Sequence, residues 1–274
     1  YEPGSTFKAF TMAGALEDGK VTPDTTFQLP AQIVVADRTI SEAHGESYGT
    51  LDASGIIKYS SNIGTIMIGQ SLGATRFDWW VRRFGFGKPT GVDLPGEQTG
   101  IVLPRSKYSG SSMGNLPIGQ GEAVTPMQMA TAYAAIANGG ILRPPRIVKA
   151  VGGKPTPLPR GRRVISERTS TTLRTMLEGV LGPGGTASGA AIKGYLLAGK
   201  TGTAEKPDPI YGGYSDSKFV ASFVGFAPAQ NPRLLTLVMV DEPVGDIYGG
   251  SVAAPAWRDI MSFALNYLRI PPEN

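Results

Sequence analysis

The sequence predicts an α+β fold: an antiparallel sheet flanked by helices, an all-helical lobe beside it, and a cleft between the two. Three observations carry this. The last hundred residues contain β-rich runs at 195–205, 218–227 and 233–240, separated by turn signals such as Pro228 and Asn231-Pro232; runs at hairpin spacing favour antiparallel pairing. Helical patterns at 166–181 and 252–268 bracket those runs, and another opens the chain at 5–18. Between about 20 and 140 the periodic segments are helical.

The opening helix starts after the turn Pro3-Gly4 and stops at Asp18-Gly19, with Phe7, Phe10 and Ala13 or Gly14 at helical spacing. It is apolar nearly all round, which predicts a buried, central helix. Residues 21–50 read as loop, with Pro23-Asp24 and a polar stretch at 41–49. Helices are expected at 51–59 and 63–72, bracketing a turn at Ser60-Ser61-Asn62, and at 75–84, where Phe77, Trp80, Val81 and Phe84 form an amphipathic stripe. The helix at 125–137 has Pro126 in its first turn and ends at Asn138-Gly139-Gly140. A Pro/Gly/Arg-rich connector at 151–163 leads to 166–181, which carries Glu167 early and stops at Gly182-Pro183-Gly184-Gly185. No repeat of solenoid or propeller period is present.

Composition excludes several classes of function. A chain of 274 residues, 41% hydrophobic and 18% charged, buries a large core and is not disordered. No window approaches the length of uninterrupted apolar sequence needed to span a bilayer. There is no cysteine, which removes disulfides, thiolate catalysis and cysteine-ligated metal. The net charge of +4 is spread along the chain, and its densest basic stretch, Arg160, Arg162 and Arg163, reads as an exposed loop and not a nucleic-acid face. His44 is the only histidine and cannot form a metal cluster; with no nucleophile near it in sequence, it reads as a loop residue.

The chemistry resides in three motifs in order: Ser5-Thr6-Phe7-Lys8, Ser60-Ser61-Asn62 and Lys200-Thr201-Gly202. S-x-x-K, S-x-N and K-T-G together describe a serine acyl-transfer site built from separate parts of a fold. Singly each is weak, and a second S-x-x-K occurs at Ser215-Asp216-Ser217-Lys218. Ser5 alone would read as a helix N-cap, Ser60-Ser61-Asn62 as a turn, and Lys200-Thr201-Gly202 as a strand end.

A serine hydroxyl needs an adjacent base at neutral pH. Lys8 lies one helical turn from Ser5, and burial beside a second cation such as Lys200 would let it lose its proton near neutrality. The helix N-terminus at Ser5 offers a backbone N–H to a developing oxyanion. Ser60 is assigned proton relay to a leaving amine, and Asn62 orientation of a substrate amide. The segment from Lys200 to Thr203 can take an acyl chain as an added strand, with Gly202 permitting close approach. The hydroxyls of Thr201 and Thr203, with Lys200, suit a substrate carboxylate, and the Thr203 N–H is the second oxyanion donor.

At these residues the sequence resembles the penicillin-binding proteins, in particular the transpeptidase domain of the class B (monofunctional) type. The resemblance covers nearly the whole chain. It runs through Y-E-P-G-S-T-F-K at 1–8, S-S-N-I-G at 60–64, F-G-F-G-x-x-T-G-V-D-L-P-G-E at 84–97 and G-Q-G at 119–121. It continues in V-T-P-M-Q at 124–128, A-G-K-T-G-T-A at 198–204 and F-V-G-F-A-P at 223–228. The resemblance implies a β-lactamase/transpeptidase-like fold. Ser5 would attack the penultimate D-Ala carbonyl of a peptidoglycan stem peptide, expel the terminal D-Ala and pass the acyl group to an amine on a neighbouring stem. β-Lactams would acylate the same serine. It implies no metal or organic cofactor, a glycosyltransferase partner in the elongation or division machinery, and a location on the extracytoplasmic face of the bacterial cytoplasmic membrane. Tyr248, with Gly249-Gly250 after the last strand, is expected either near the cleft mouth, Tyr248 as a substrate contact, or as a purely structural turn.

In that family, strands of the same sheet, a pedestal domain and a membrane anchor precede the nucleophile helix. Here four residues precede Ser5, so the chain is expected to be a fragment whose sheet lacks an edge. The alternatives share the first chemical step. A class A serine β-lactamase would need an E-x-x-L-N loop, and Glu97 falls near the right distance without the Leu-Asn. A D-Ala-D-Ala carboxypeptidase differs only in its acceptor. A β-lactam sensor domain usually carries S-x-V, against which Asn62 argues.

Overall fold

In the computed structural model, whose described residues are 1–208 and 212–273, the chain is organised around its first helix. A 3-10 turn (Gly4–Phe7) runs into helix α1 (Lys8–Glu17), and every residue from Lys8 to Ala15 is buried. Phe7 and Phe10 meet Phe86 at ring centroid distances of 5.0 Å, and Phe10 also meets Phe84 and Tyr133. This aromatic cluster ties α1 to the elements that follow, and Tyr133 satisfies its buried hydroxyl by donating to Thr6 O at 2.6 Å.

The lobe that follows is mainly helical but contains two short antiparallel ribbons. Strand β1 (Thr26–Gln28) pairs with β4 (Thr50–Asp52), and β2 (Gln32–Val35) pairs with β3 (Arg38–Ser41). The sequence reads 21–50 as loop, because strands of three or four residues are too short to establish an alternating pattern. Helix α2 (Ala53–Lys58) starts two residues later than the pattern suggests, since Asp52 caps it by accepting from Gly55 N–H. Helices α3 (Asn62–Leu72) and α4 (Ala74–Arg83) follow, then a short α5 (Ser112–Asn115). Helix α6 (Pro126–Ala137) opens with a full capping box between Thr125 and Gln128.

The connector expected at 151–163 carries small ribbons too. Strand β5 (Ile141–Leu142) pairs with β8 (Arg162–Arg163), and β6 (Ala150–Val151) with β7 (Lys154–Pro155). Helix α7 (Glu167–Glu178) is capped by Ser166, whose N–H donates to the Glu17 carboxylate at 3.0 Å. That bond joins the start of α7 to the end of α1.

The main sheet consists of β9 (Ala198–Pro207), β10 (Tyr214–Ala227) and β11 (Leu234–Asp241), antiparallel in the order β11-β10-β9. Residues 195–197, expected to begin β9, are instead tied to the C-terminal segment: Tyr195 Oη donates to Ile270 O and Leu196 N–H to Glu273. Helix α8 (Gly249–Tyr267) covers the sheet, its Trp257 packed edge-on against Phe223 and donating to Gly225 O. It begins one turn before the predicted start. A turn is one reading of Gly249 and Gly250 in sequence, but each lies where an added Cβ would come within 2.3 Å of backbone oxygen, Gly249 against Gly202 and Ser222 of the sheet and Gly250 against Thr186, so glycine is what lets the helix N-terminus approach so closely. No helix among the described residues is long and apolar enough to cross a membrane.

Candidate active site

Ser5 sits on the 3-10 turn between the sheet and the helical lobe. Gly4, at φ +52°, donates its N–H to Gly119 O at 3.0 Å, and a Cβ on Gly4 would press on Thr203 O of β9. The turn is thus clamped between the 119–121 glycine segment and the sheet. No side chain caps the turn, so the N-cap role that Ser5 would have by itself is not the one it takes. Lys8, the first residue of α1, follows Ser5 by three positions, one turn further along.

Lys8 is fully buried and points toward the other lobe. Its amine donates to Ser60 O at 2.5 Å and Asn62 Oδ1 at 2.7 Å, and lies 3.3 Å from Ser60 Oγ. The described geometry contains no hydrogen bond from Lys8 to Ser5, the partner its sequence spacing suggests. Lys200, also fully buried, donates to Ser60 Oγ at 2.8 Å. One hydroxyl therefore lies between two buried amines.

Burial pushes the Lys8 ammonium down to about 7, with the Glu42 carboxylate opposing the shift. Burial, and then the charge of Lys8, hold Lys200 well below the ordinary lysine range. A neutral amine has two N–H groups and one lone pair. Ser60 O and Asn62 Oδ1 occupy the two N–H groups of Lys8, which leaves its lone pair to accept a proton.

Local structure explains how Ser60 and Asn62 reach this point. Helix α2 ends at Lys58, Ser60 turns the chain with φ +61°, and Ser61 caps α3 by accepting from Gly64 N–H. A non-glycine residue in the left-handed region costs energy, and here it places Ser60 Oγ beside both lysines. On the sheet side, Thr201 and Thr203 line the cleft from β9, an edge strand in the sheet order. Thr201 Oγ1 is 2.9 Å from Thr186 Oγ1, and Thr203 Oγ1 accepts from Gly249 N–H at 3.1 Å. A Cβ on Gly202 would stand 2.5 Å from Ser222 Oγ and 3.0 Å from Pro3 O, so this position packs directly under the nucleophile turn. Tyr248, N-cap of α8 and 42% exposed, lies at the rim.

Ser5, Ser60, Asn62, Thr201, Thr203 and Tyr248 line one cleft of about 940 Å³, while Lys8, Lys200 and Gly202 are not on its lining; both lysines are buried and reach the Ser60 hydroxyl. Other members were not found from the sequence. Glu42, 6% exposed, accepts from Ser61 Oγ and from the Asn62 N–H; in the sequence it is only a neighbour of His44, whose side chain lies outside the described residues. Thr186 also lines the cleft with no motif to mark it, as does Gln120, which the G-Q-G segment at 119–121 contains without giving it a role.

The remaining candidates fall elsewhere. The second S-x-x-K lies largely exposed on β10, with Ser215 Oγ accepting from backbone N–H groups of Ser217 and Lys218. Glu97 is not on the cleft; its carboxylate binds Thr90 and the Gly91 N–H. Arg163 donates to Gly139 O and Arg162 to Arg83 O, so both brace a ribbon. No metal-holding group of side chains occurs among the described residues.

A serine on a 3-10 turn, two buried lysines sharing a second serine, and an edge strand of Lys-Thr-Gly define a serine acyl-transfer site between a sheet and a helical lobe. The family description "Penicillin binding protein transpeptidase domain" matches residues 1–262, and the chain belongs to that family. It is 41% identical to penicillin-binding protein PbpB of Mycolicibacterium smegmatis over 284 aligned residues, covering 99% of this chain and 44% of that protein. With the probable peptidoglycan D,D-transpeptidase PenA of Neisseria gonorrhoeae it shares 35% identity, covering 99% of this chain and 45% of that one. The fold matches penicillin binding protein 3 from Mycobacterium tuberculosis, complexed with aztreonam, with a TM-score of 0.92 and 37% identity over all of this chain and 64% of that structure. The chain thus spans less than half the length of the two curated relatives named.

Proposed function

We propose that this chain is the catalytic domain of a class B peptidoglycan D,D-transpeptidase. The observation that carries the proposal is Ser60 Oγ held between Lys8 and Lys200 in the cleft that also contains Ser5. Lys8 removes the proton of Ser5 Oγ as the oxygen attacks the penultimate D-Ala carbonyl of a stem peptide. The backbone N–H groups of Ser5 and Thr203 receive the oxyanion. The C–N bond then breaks; the proton passes through Ser60 to the leaving nitrogen, and terminal D-Ala departs as a neutral amine. An amine from a neighbouring stem reverses the sequence on the acyl-enzyme, giving the cross-link and restoring Ser5. Asn62 orients the substrate amide, and Thr201, Thr203 and Lys200 hold the terminal carboxylate, with Tyr248 at the rim.

β-Lactams, which present an acylating carbonyl beside a carboxylate, fit the same path as covalent inhibitors, in keeping with the aztreonam complex of the related structure. A β-lactamase would need a carboxylate to activate the deacylating water; Glu97 is engaged away from the cleft, and the Glu42 carboxylate is bound to Ser61 and Asn62. The proposed place of action is the extracytoplasmic face of the bacterial cytoplasmic membrane, where a glycosyltransferase partner would supply the glycan strands.

Incubation with a penicillin, followed by intact mass over hours, tests this directly. A stable adduct that is absent from Ser5→Ala supports the transpeptidase. An adduct hydrolysed within minutes would point to a β-lactamase, and no adduct on the folded chain would overturn the proposal.

A further inference from the structure

Glu42 has no place in the acyl-transfer steps above, yet it is built into the centre of the site. It lies one residue past β3, with its carboxylate withdrawn from solvent. Ser61 Oγ donates to Oε1 at 2.5 Å and the Asn62 N–H donates to Oε2 at 2.6 Å. The neighbouring Ser41 O accepts from Asn62 Nδ2 at 3.3 Å, which leaves Asn62 Oδ1 facing Lys8. Residues 41 and 42 therefore grip both the backbone and the side chain of Asn62. A buried carboxylate is costly unless hydrogen-bonded and paired; charge-assisted bonds of this length are the strong kind.

The charged groups facing Lys8 come from two directions. Lys200 on β9 reaches the same Ser60 hydroxyl, and Glu42 is the carboxylate whose field acts on the Lys8 amine. Glu46 and Glu205 line the cleft from exposed positions, and Tyr48 occupies the Glu46 carboxylate. Two amines with one buried carboxylate beside them can hold one proton between them at lower cost than two amines alone.

We propose that Glu42 is a positioning residue for the acyl-transfer centre, fixing Asn62 against Lys8 and supplying the negative charge that balances the two-lysine pair. The inference rests on the reading of Lys8 as the base for Ser5. An opposite charge favours the protonated form of an amine, so Glu42 keeps Lys8 basic enough to draw a proton from a serine, while burial keeps it neutral often enough to do so.

The test is the rate of Ser5 acylation by a fluorescent penicillin, measured between about pH 5 and pH 9 for the wild type and Glu42→Gln, Glu42→Asp and Glu42→Ala, with thermal unfolding of each. Glutamine keeps the shape and one carbonyl acceptor but removes the charge; the acidic limb of its profile is expected to move down by about one pH unit. Alanine removes charge and grip together, and its plateau rate is expected to fall about tenfold to a hundredfold, with aspartate recovering part of it. A glutamine profile superimposed on the wild type overturns the proposal, as does a folded alanine variant acylated at the wild-type rate. Should alanine fail to fold, the glutamine profile still decides. Absence of any wild-type adduct would remove the acyl-transfer reading itself, whereas a wild-type adduct with an unmoved glutamine limb removes only the role of Glu42.

Discussion

Replacing Lys8 with methionine should abolish acylation and yet make the folded protein more stable near neutral pH, and the gain should shrink as pH rises. Lys8 titrates at about 7 in the fold against 10.5 for an ordinary lysine. The folded value lies below the unfolded one, so the unfolded chain binds more protons throughout that interval, and stability rises with pH across it. Integrating the linkage gives a cost of ~4 kcal/mol at about pH 7 and ~1 kcal/mol at about pH 9.5, a change of ~3 kcal/mol. Methionine keeps the length of the side chain and removes this cost. It also loses the bonds to Ser60 O and Asn62 Oδ1, at roughly 1 kcal/mol or more each, so the net gain at neutral pH is smaller than the full figure. Those bond losses vary little with pH in this window and cancel from the difference between the two pH values. Relief of Lys200, which the charge of Lys8 pushes down, works in the same direction. Urea denaturation of wild type and Lys8→Met at the two pH values measures the difference. An advantage of methionine that stays constant with pH would refute the claim that Lys8 is buried with a depressed proton affinity.

Two further substitutions probe the same centre. Asn62→Asp places a carboxylate where the Lys8 amine now donates to an amide oxygen; it should raise the acidic limb of the acylation profile by about one pH unit or more, opposite to Glu42→Gln, and an unmoved limb would count against Lys8 as the base. Gly202→Ala should slow acylation and cost about 1–3 kcal/mol in urea denaturation, because its Cβ meets Ser222 Oγ and Pro3 O under the nucleophile turn; wild-type stability would mean that the turn is not clamped there.

The sequence marks what is local. The capped helices after Thr125 and Ser166, and the hairpin runs of the sheet, can be read from residue type and spacing because each signal lies within the element it specifies. The three motifs are equally local, and the fold brings their residues to one cleft. What escapes is relational. The spacing of Ser5 and Lys8 points the amine at its own helix, but Ser60 and Asn62, more than fifty positions away, take its N–H groups. Glu42 has no motif, since its significance comes from the backbone N–H of residue 62 and not from its neighbours in sequence. Gly249-Gly250 can be read as a turn because glycine signals conformational freedom, whereas these glycines serve close approach inside a helix end.

The site concentrates costs that a structural element would avoid: two buried amines, a buried carboxylate and a left-handed serine at residue 60. Separately each destabilises the fold. Together they are complementary, because the carboxylate offsets the amines and the strained serine supplies the hydroxyl both amines share. The arrangement holds only if the lobes are rigid with respect to each other, and α1 provides that rigidity. Its aromatic face is locked to Phe84, Phe86 and Tyr133, its C-terminal end to Ser166, and the turn before it to Gly119 and the sheet. The nucleophile therefore stands on the turn that opens a helix buried between the lobes, and a change that loosens α1 should reduce reactivity before it unfolds the protein, since the lysine centre works only while its donors and acceptors stay within hydrogen-bonding distance.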